Sequence, residues 1–148
     1  WYTAGTEVVF ACGGSMFQSV KSAAEATTNG KIIGVDVDQA PLSDRVITSA
    51  VKGLSVSVQK ILGEFYGGEW DAKLAAKASN LGAADDATGL PTATWRMSKF
   101  TVENYNTLFA AVKAGSVSIK NDIAKNCDNQ EFWTGKITST KVTITLDK

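Results

Sequence analysis

The sequence predicts an α/β fold with a parallel sheet, because short apolar strands alternate along it with amphipathic helices. The first unit consists of a strand over residues 7–12 (EVVFAC), a helix over 15–28 and a strand over 31–35 (KIIGV). A strand, a helix and a strand in this order form a β-α-β unit, which requires parallel pairing and a right-handed crossover. Ligands bind such sheets beyond the carboxyl ends of the strands. We therefore expect a binding site where these two strands end.

Local signals mark both ends of the first helix. Gly13 and Gly14 interrupt the strand, and Ser15 with Gln18 matches a capping box, in which side chains satisfy free N–H groups of the first turn. Asn29-Gly30 is a typical helix stop. The apolar residues between these signals have helical spacing: Met16, Phe17, Val20, Ala23 and Ala24. One face of this helix is therefore predicted to pack on the sheet.

The alternation of elements continues downstream. Residues 45–51 (RVITSAV) favour a third strand, and Gly53 precedes a helix that ends at Gly67-Gly68. The apolar face of that helix is formed by Leu54, Val58, Ile61, Leu62 and Phe65. An Ala-rich segment over 73–81 is a weaker strand candidate, and 82–94 has the composition of a loop.

A last helix is predicted over residues 102–114, with Thr101 as its N-cap and Gly115 at its end. Its apolar stripe comprises Val102, Tyr105, Leu108, Phe109 and Val112. Residues 137–146 (ITSTKVTITL) alternate polar and apolar side chains, which is typical of a strand.

Composition excludes several classes of function. The 148 residues include 15 Lys plus Arg and 15 Asp plus Glu, so a nucleic-acid partner, which needs a basic surface, is not expected. No apolar run approaches the roughly 20 residues of a membrane helix. The chain has two cysteines and no histidine, which excludes a Ser-His-Asp or Cys-His catalytic set and a zinc site of the usual Cys/His kind. We predict neither a metal nor a cofactor.

The two cysteines, Cys12 and Cys127, are compatible with two interpretations. In a secreted protein they can form a disulfide, whereas free cysteines commonly lie buried as small apolar side chains. We expect no disulfide between them, because the C-terminal segment is predicted to lie far from the strand that leads to Cys12.

The first residues lack the features of a chain start. WYTAG has neither an initiator Met nor the basic and apolar regions of a signal peptide, and it has the character of the last turn of a helix. We expect that the sequence begins in mid-domain and that an upstream portion precedes it. A processed mature terminus is the alternative.

Glycines follow the first strand, at Gly13 and Gly14. Glycines between a strand and a helix let the backbone approach a ligand, and the helix N-terminus offers N–H donors to oxygen atoms. The turn lacks the G-x-G-x-x-G pattern of dinucleotide binding and the lysine of a phosphate-binding P-loop. It therefore indicates a ligand-facing turn without specifying the ligand.

Charged residues follow the next two strands. Asp36 and Asp38 come after the second strand, and a carboxylate, which accepts two hydrogen bonds at once, suits the vicinal hydroxyls of a sugar. Only one of the two aspartates is expected to reach the site. Lys52 follows the third strand and offers a hydrogen-bond donor. The alternatives are solvated loop residues or helix caps for the aspartates, and a solvated lysine.

Four segments, in this order, resemble the basic membrane protein family of bacterial lipoproteins: VVFACGGS, KIIGVDVDQ, RVITSAVKGLSVSV and FTVENYNTLFAAVKAGSVSI. The resemblance covers roughly residues 1–119, and the pair GVDVDQ and VITSAVK is its most specific part. Members of the family are solute-binding receptors similar to the purine-nucleoside receptors of ABC transporters. Since they are about twice as long as this sequence, the chain resembles a C-terminal half.

The resemblance implies a type I periplasmic-binding fold, in which two α/β lobes joined by crossing strands close over a nucleoside. Residues 1–45 would then hold a β-α-β unit of the C-terminal lobe, residues 46–119 would cross to the other lobe and back, and 120–148 are unassigned. Asp36 matches the aspartate that grips the ribose hydroxyls, and Lys52 matches a lysine near the ribose. Gly13 and Gly14 match the turn at the floor of the cleft, whereas Cys12 replaces a residue that is usually small and apolar.

The resemblance also implies a nucleoside-like ligand, an ABC permease in the membrane as partner, and an extracytoplasmic receptor held to the bacterial membrane by a lipid anchor. It implies no enzymatic activity. The same fold group includes ligand-sensing domains of transcription regulators, which is the alternative function. An enzyme that uses Asp36 and Asp38 as acid and base is disfavoured, because no nucleophile–base pair accompanies them.

Overall fold

The computed structural model describes residues 1–117 and shows a mixed α/β fold, with one compact unit over Trp1–Ser116. Its strands are β1 (Val8–Phe10), β2 (Lys31–Asp36), β3 (Val46–Lys52) and β4 (Thr88–Gly89), and its α-helices are α1 (Met16–Glu25), α2 (Leu54–Tyr66) and α3 (Val102–Lys113). Between them lie short 3-10 turns over Tyr2–Ala4, Ala40–Leu42 and Ala83–Asp85 and a π-type turn over Trp70–Leu74.

The four strands form one sheet in the order β1-β2-β3-β4. The first three strands are parallel, with Val8 opposite Lys31 and Ile32 opposite Val46, whereas β4 pairs antiparallel with the end of β3. The predicted parallel pairing of the first two strands is confirmed. Because three strands run in one direction, their carboxyl ends lie together. We call this side of the sheet, where Asp36 and Lys52 end their strands, the carboxyl edge.

The core lies between α1 and one face of the sheet, as predicted for an amphipathic helix. Phe17 of α1, Ile32 of β2 and Val46 of β3 are buried to 2% exposure or less. Smaller side chains complete the cluster: Ala11, Ala24 and Ala40. Burying each of the large side chains contributes about 1.5–3 kcal/mol. This packing holds α1 across the strands that it connects.

The connection from β2 to β3 contains no α-helix, although parallel neighbours are usually joined by one. Instead Gln39 folds back onto the sheet. Its Oε1 accepts a hydrogen bond from the Val35 N–H, and its own N–H donates to Ser49 Oγ, both at 3.0 Å. Gly34 permits this approach, because a Cβ there would lie 2.5 Å from Gln39 Oε1 and 2.7 Å from Ser49 Oγ.

Helix α3 begins at the predicted N-cap. Thr101 Oγ1 accepts from the Asn104 N–H, and Asn104 Oδ1 accepts from the Thr101 N–H, each at 3.1 Å. The buried Tyr105 accepts a hydrogen bond from the Leu90 N–H at 2.9 Å and stacks on Phe109. These contacts attach α3 to the segment that follows β4.

Helix α2 is amphipathic, as predicted, but none of its residues is buried. Its apolar face consists of side chains that are 41–56% exposed: Leu54, Val58, Ile61, Leu62 and Phe65. Trp70, in the turn that follows, is also exposed. Trp70 thus extends the apolar surface of α2, and no other element within residues 1–117 covers this surface. None of the helices in this part of the chain has the length and apolar character needed to cross a bilayer.

Three local predictions differ from the structure. Ser15 adopts helical backbone angles (φ −65°, ψ −12°) and makes no capping hydrogen bond, so the predicted capping box is wrong. Residues 73–81 are not a strand: they begin in a π-type turn and continue irregularly, since no neighbouring strand pairs with them. Residues 82–94 form the expected loop except for the two-residue β4. The strand predicted over 137–146 lies outside the described residues.

Gly34→Ala should lower the free energy of unfolding of the intact protein by about 1–3 kcal/mol, because the added methyl group overpacks the contact between β2 and Gln39. Gly63→Ala is the matched control: a Cβ at Gly63 meets nothing within 4 Å. Ala is favoured over Gly inside a helix by about 0.8–1 kcal/mol, so this variant should be as stable as the parent or more stable. Urea unfolding measures both; equal effects would contradict the close-approach role of Gly34.

Candidate functional site

The carboxyl edge brings together two of the residues that the sequence singled out. Asp36 ends β2 and Lys52 ends β3, and Lys52 Nζ lies 2.7 Å from Asp36 Oδ1. The parallel register places Asp36 opposite Val51, the neighbour of Lys52. Two residues far apart in sequence thus form an ion pair because their strands are adjacent and end at the same level.

Asp36 has an unusual backbone conformation for a residue with a side chain. Its φ is 69°, in the left-handed region. Its side chain is 43% exposed, but Oδ1 has less than 1 Å² of exposed area and, apart from the Lys52 ammonium, no polar partner among the described residues. The Asp36 carboxylate is therefore ion-paired with Lys52 and is not a free acceptor at both oxygens. A buried carboxylate oxygen needs a compensating partner, and the adjacent strand end supplies one.

The ion pair changes the protonation chemistry of Lys52. Hydrogen bonding to Asp36 and charge attraction to it raise the pKa of Lys52 above its ordinary value, with a smaller contribution from Cys12. Lys52 therefore stays protonated throughout the neutral range. An ammonium donor and a carboxylate acceptor are thus fixed side by side at the edge of the sheet.

The glycine turn follows β1 at the same side of the sheet. Gly14 has a φ of 49°, which favours glycine, and the Met16 N–H donates to the Gly13 carbonyl at 2.9 Å. A Cβ at Gly13 would lie 3.1 Å from Met16 Cε, whereas one at Gly14 would meet nothing within 4 Å. Gly14 is therefore required for its backbone conformation, and the space above it is open.

Asp38 has a structural position. Its Oδ1 accepts from the Ala40 N–H at 3.0 Å, at the start of the 3-10 turn, and its Oδ2 accepts from Thr94 Oγ1 at 2.7 Å. Both carboxylate oxygens are therefore engaged within the chain. The structure does not bring Asp38 together with Asp36 and Lys52 in one ion pair.

Cys12 directly precedes the glycine turn and is a free, exposed cysteine. It is not buried as a small apolar side chain. Cys127 lies outside the described residues. Among residues 1–117, no group of three or more His, Cys, Asp or Glu side chains could hold a metal ion.

Arg96 organises the connection between β2 and β3, and sequence patterns did not single it out. Its Nη1 donates to the carbonyls of Ser43 and Val46 at 2.9 and 3.0 Å, and its Nη2 donates to Ala40 at 3.2 Å. The guanidinium thereby fixes the connection between β2 and β3. No local signal identifies this role, because the partners lie about fifty residues upstream in the sequence.

Two cavities of the described part of the chain lie away from the carboxyl edge. One, of about 270 Å³, is near the amino ends of β1 and β2 and is lined by residues that include Glu7 and Gly30. The other, of about 200 Å³, is lined by Tyr2, Val9 and Val20 among others. Neither contains a residue that the sequence singled out for ligand binding.

No protein-family model matches the sequence, and a comparison with curated proteins gives no significant match. The geometry of the carboxyl edge and the motifs that lie on it are therefore the features of the chain that bear on its function.

Asp36→Asn should return the pKa of Lys52 toward its ordinary value of 10.5, because the charged partner is removed. Since the folded-state pKa is raised, the small stabilising contribution of this exposed pair is present at neutral pH and is lost as the pH rises through the pKa of folded Lys52. NMR titration of the Lys52 side chain measures the shift. Asp38→Asn is the control and should leave the titration of Lys52 unchanged.

Asp38→Ala should lower the free energy of unfolding by about 2 kcal/mol, because it removes the cap of the Ala40 turn and the bond to Thr94. Thr94→Val, which removes only one of these bonds, should have about half the effect. Chemical unfolding of the intact protein measures both. An Asp38→Ala variant with parental stability but impaired ligand binding would show instead that Asp38 is a ligand contact.

Proposed function

We propose that this chain is part of an extracytoplasmic solute-binding protein of an ABC-type uptake system and binds a purine nucleoside or a similar ribose-bearing solute. The observation that carries the proposal is the Asp36–Lys52 pair at the carboxyl edge of a parallel sheet, 2.7 Å apart. Both residues lie in the segments that resemble the nucleoside-receptor family. Ligands of α/β sheets bind at this edge.

The chemistry of the pair suits a sugar hydroxyl. A hydroxyl group can donate a hydrogen bond to the Asp36 carboxylate, whose charge is offset by the Lys52 ammonium. Hydrogen bonds with a charged partner are stronger than those between neutral groups. Because the two charges offset each other, the pair favours an uncharged polyhydroxyl ligand over an anion or a cation. Both side chains are accessible, with 43% and 64% of their surface exposed for Asp36 and Lys52.

The uncovered apolar face of α2 supports a protein with a second lobe. Apolar helix faces of this width are normally buried against another layer. In the proposed two-lobe receptor, β3 crosses toward the other lobe, and α2 packs there through Val58, Leu62 and Phe65. A ligand held between the lobes contacts both of them, so it favours the closed state.

In this proposal the receptor is held at the outer face of the bacterial membrane by a lipid anchor and delivers its ligand to a permease. It binds and releases the solute without chemical change. Asp36 is the ligand contact in this role and Lys52 is its ion-pair partner, and Gly13-Gly14 lets the ligand approach the backbone at the end of β1.

Asp36→Ala in the intact protein should weaken nucleoside binding roughly ten- to a hundredfold, because a hydrogen bond to a charged acceptor is worth about 1.5–3 kcal/mol. Isothermal titration calorimetry with adenosine, guanosine and inosine measures the change. Asp44→Ala is the matched control, since the Asp44 side chain is fully exposed and its partner at 3.4 Å is Arg96, which binds the start of β3 and not the carboxyl edge.

Two results would contradict the proposal in different ways. If the parent protein binds none of the three nucleosides, the ligand class is wrong. If the parent binds and Asp36→Ala binds equally tightly, the nucleoside site lies elsewhere in the molecule.

A further inference from the structure

We infer that Lys52 acts on the ligand through Asp36: it is a positioning residue that holds the Asp36 carboxylate with Oδ1 turned inward and Oδ2 available to a ligand hydroxyl. This inference deepens the proposed function and rests on it for the identity of the ligand. The ion pair itself is formed by two residues of the chain and does not depend on the identity of the ligand.

The two oxygens of Asp36 have different surroundings. Oδ1 has less than 1 Å² of exposed area and faces the Lys52 ammonium at 2.7 Å. The side chain as a whole is nevertheless 43% exposed, so its accessible surface lies on the remaining atoms, of which Oδ2 is the polar one. Lys52 therefore occupies one oxygen and leaves the other as the acceptor.

The backbone of Asp36 does not fix this orientation. With a φ of 69°, Asp36 departs from the extended conformation in which side chains alternate between the two faces of a sheet. The backbone sets the direction of the Cβ, and the orientation of the carboxylate beyond it depends on what the carboxylate contacts. A carboxylate held by a lysine of the same chain is oriented before binding, which reduces the ordering cost at the moment of binding.

Because Lys52 is exposed, its effect on ligand binding can be measured separately from its effect on the stability of the fold. The Lys52 side chain is 64% exposed, and ion pairs at exposed positions contribute little to the stability of a fold. A Lys52→Met variant, which keeps most of the aliphatic stem, should therefore unfold at the same temperature as the parent. Its effect on binding should come from a carboxylate that is free to rotate.

A double-mutant cycle in the intact protein tests the inference, with adenosine as the probe in calorimetry. Lys52→Met should weaken binding about tenfold in the parent, and Lys52→Arg, which can also pair with a carboxylate, should stay within about threefold of the parent. In the Asp36→Asn background, Lys52→Met should change the affinity less than about twofold, because no carboxylate is left to position. Equal losses in both backgrounds would show that Lys52 contacts the ligand independently, which overturns the inference and leaves the proposed function intact.

A measurement without ligand separates the inference from the ligand class. In the ligand-free protein, Lys52→Met should change the NMR carboxyl shift of Asp36 and leave that of Asp85 unchanged. Lys60→Met is the matched control and should do the reverse, because Lys60 Nζ pairs with Asp85 at 2.8 Å. An unchanged Asp36 signal in Lys52→Met overturns the positioning role. A parent that binds no adenosine but shows the expected shifts would contradict the proposed ligand and retain the positioning of Asp36.

Discussion

The parallel pairing of β2 with both of its neighbours is the constraint on which the candidate site depends. Parallel strands deliver their carboxyl ends to one side of a sheet, so the residues that follow them meet whatever their distance in sequence. Asp36 and Lys52 form a 2.7 Å ion pair for this reason. Phe17 of α1 and Ile32 of β2 are buried in one core cluster, which holds the helix on the sheet. The close approach of Gln39 to Gly34 shapes the short connection from β2 to β3.

Two aspartates of one segment have different roles because their surroundings differ. Asp38 accepts from the Ala40 N–H and from Thr94, so its charge is used within the fold. Asp36 remains partly exposed and meets only an exposed lysine. Together with Arg96, Asp38 ties residues 94–96 to the connection after β2. A hydrogen-bonded connection beside an accessible acceptor fits the binding site proposed above.

The apolar face of α2 and the ion pair point to the same organisation. A helix with no buried residue lacks the packing that normally stabilises helices in proteins, and an exposed ion pair contributes little to folding. Both features fit the proposal that a second layer of protein packs on α2 and faces the ion pair. In the proposed two-lobe receptor, the second lobe supplies that layer for α2 and closes over the carboxyl edge.

The sequence by itself determined the α/β class, the parallel pairing of the first two strands and the three helices, because apolar periodicity and cap residues such as Thr101 are local signals. It also placed Asp36 and Lys52 at strand ends. It failed at Ser15, whose capping pattern is matched without the hydrogen bond, and at residues 73–81, where Ala-rich composition is ambiguous. Only the tertiary structure decided that Asp36 forms an ion pair with Lys52 and that both oxygens of Asp38 accept hydrogen bonds within the chain. It also decided that Arg96 holds the β2–β3 connection. These depend on contacts between distant residues, whose geometry follows from the packing of the whole sheet and cannot be read from local sequence.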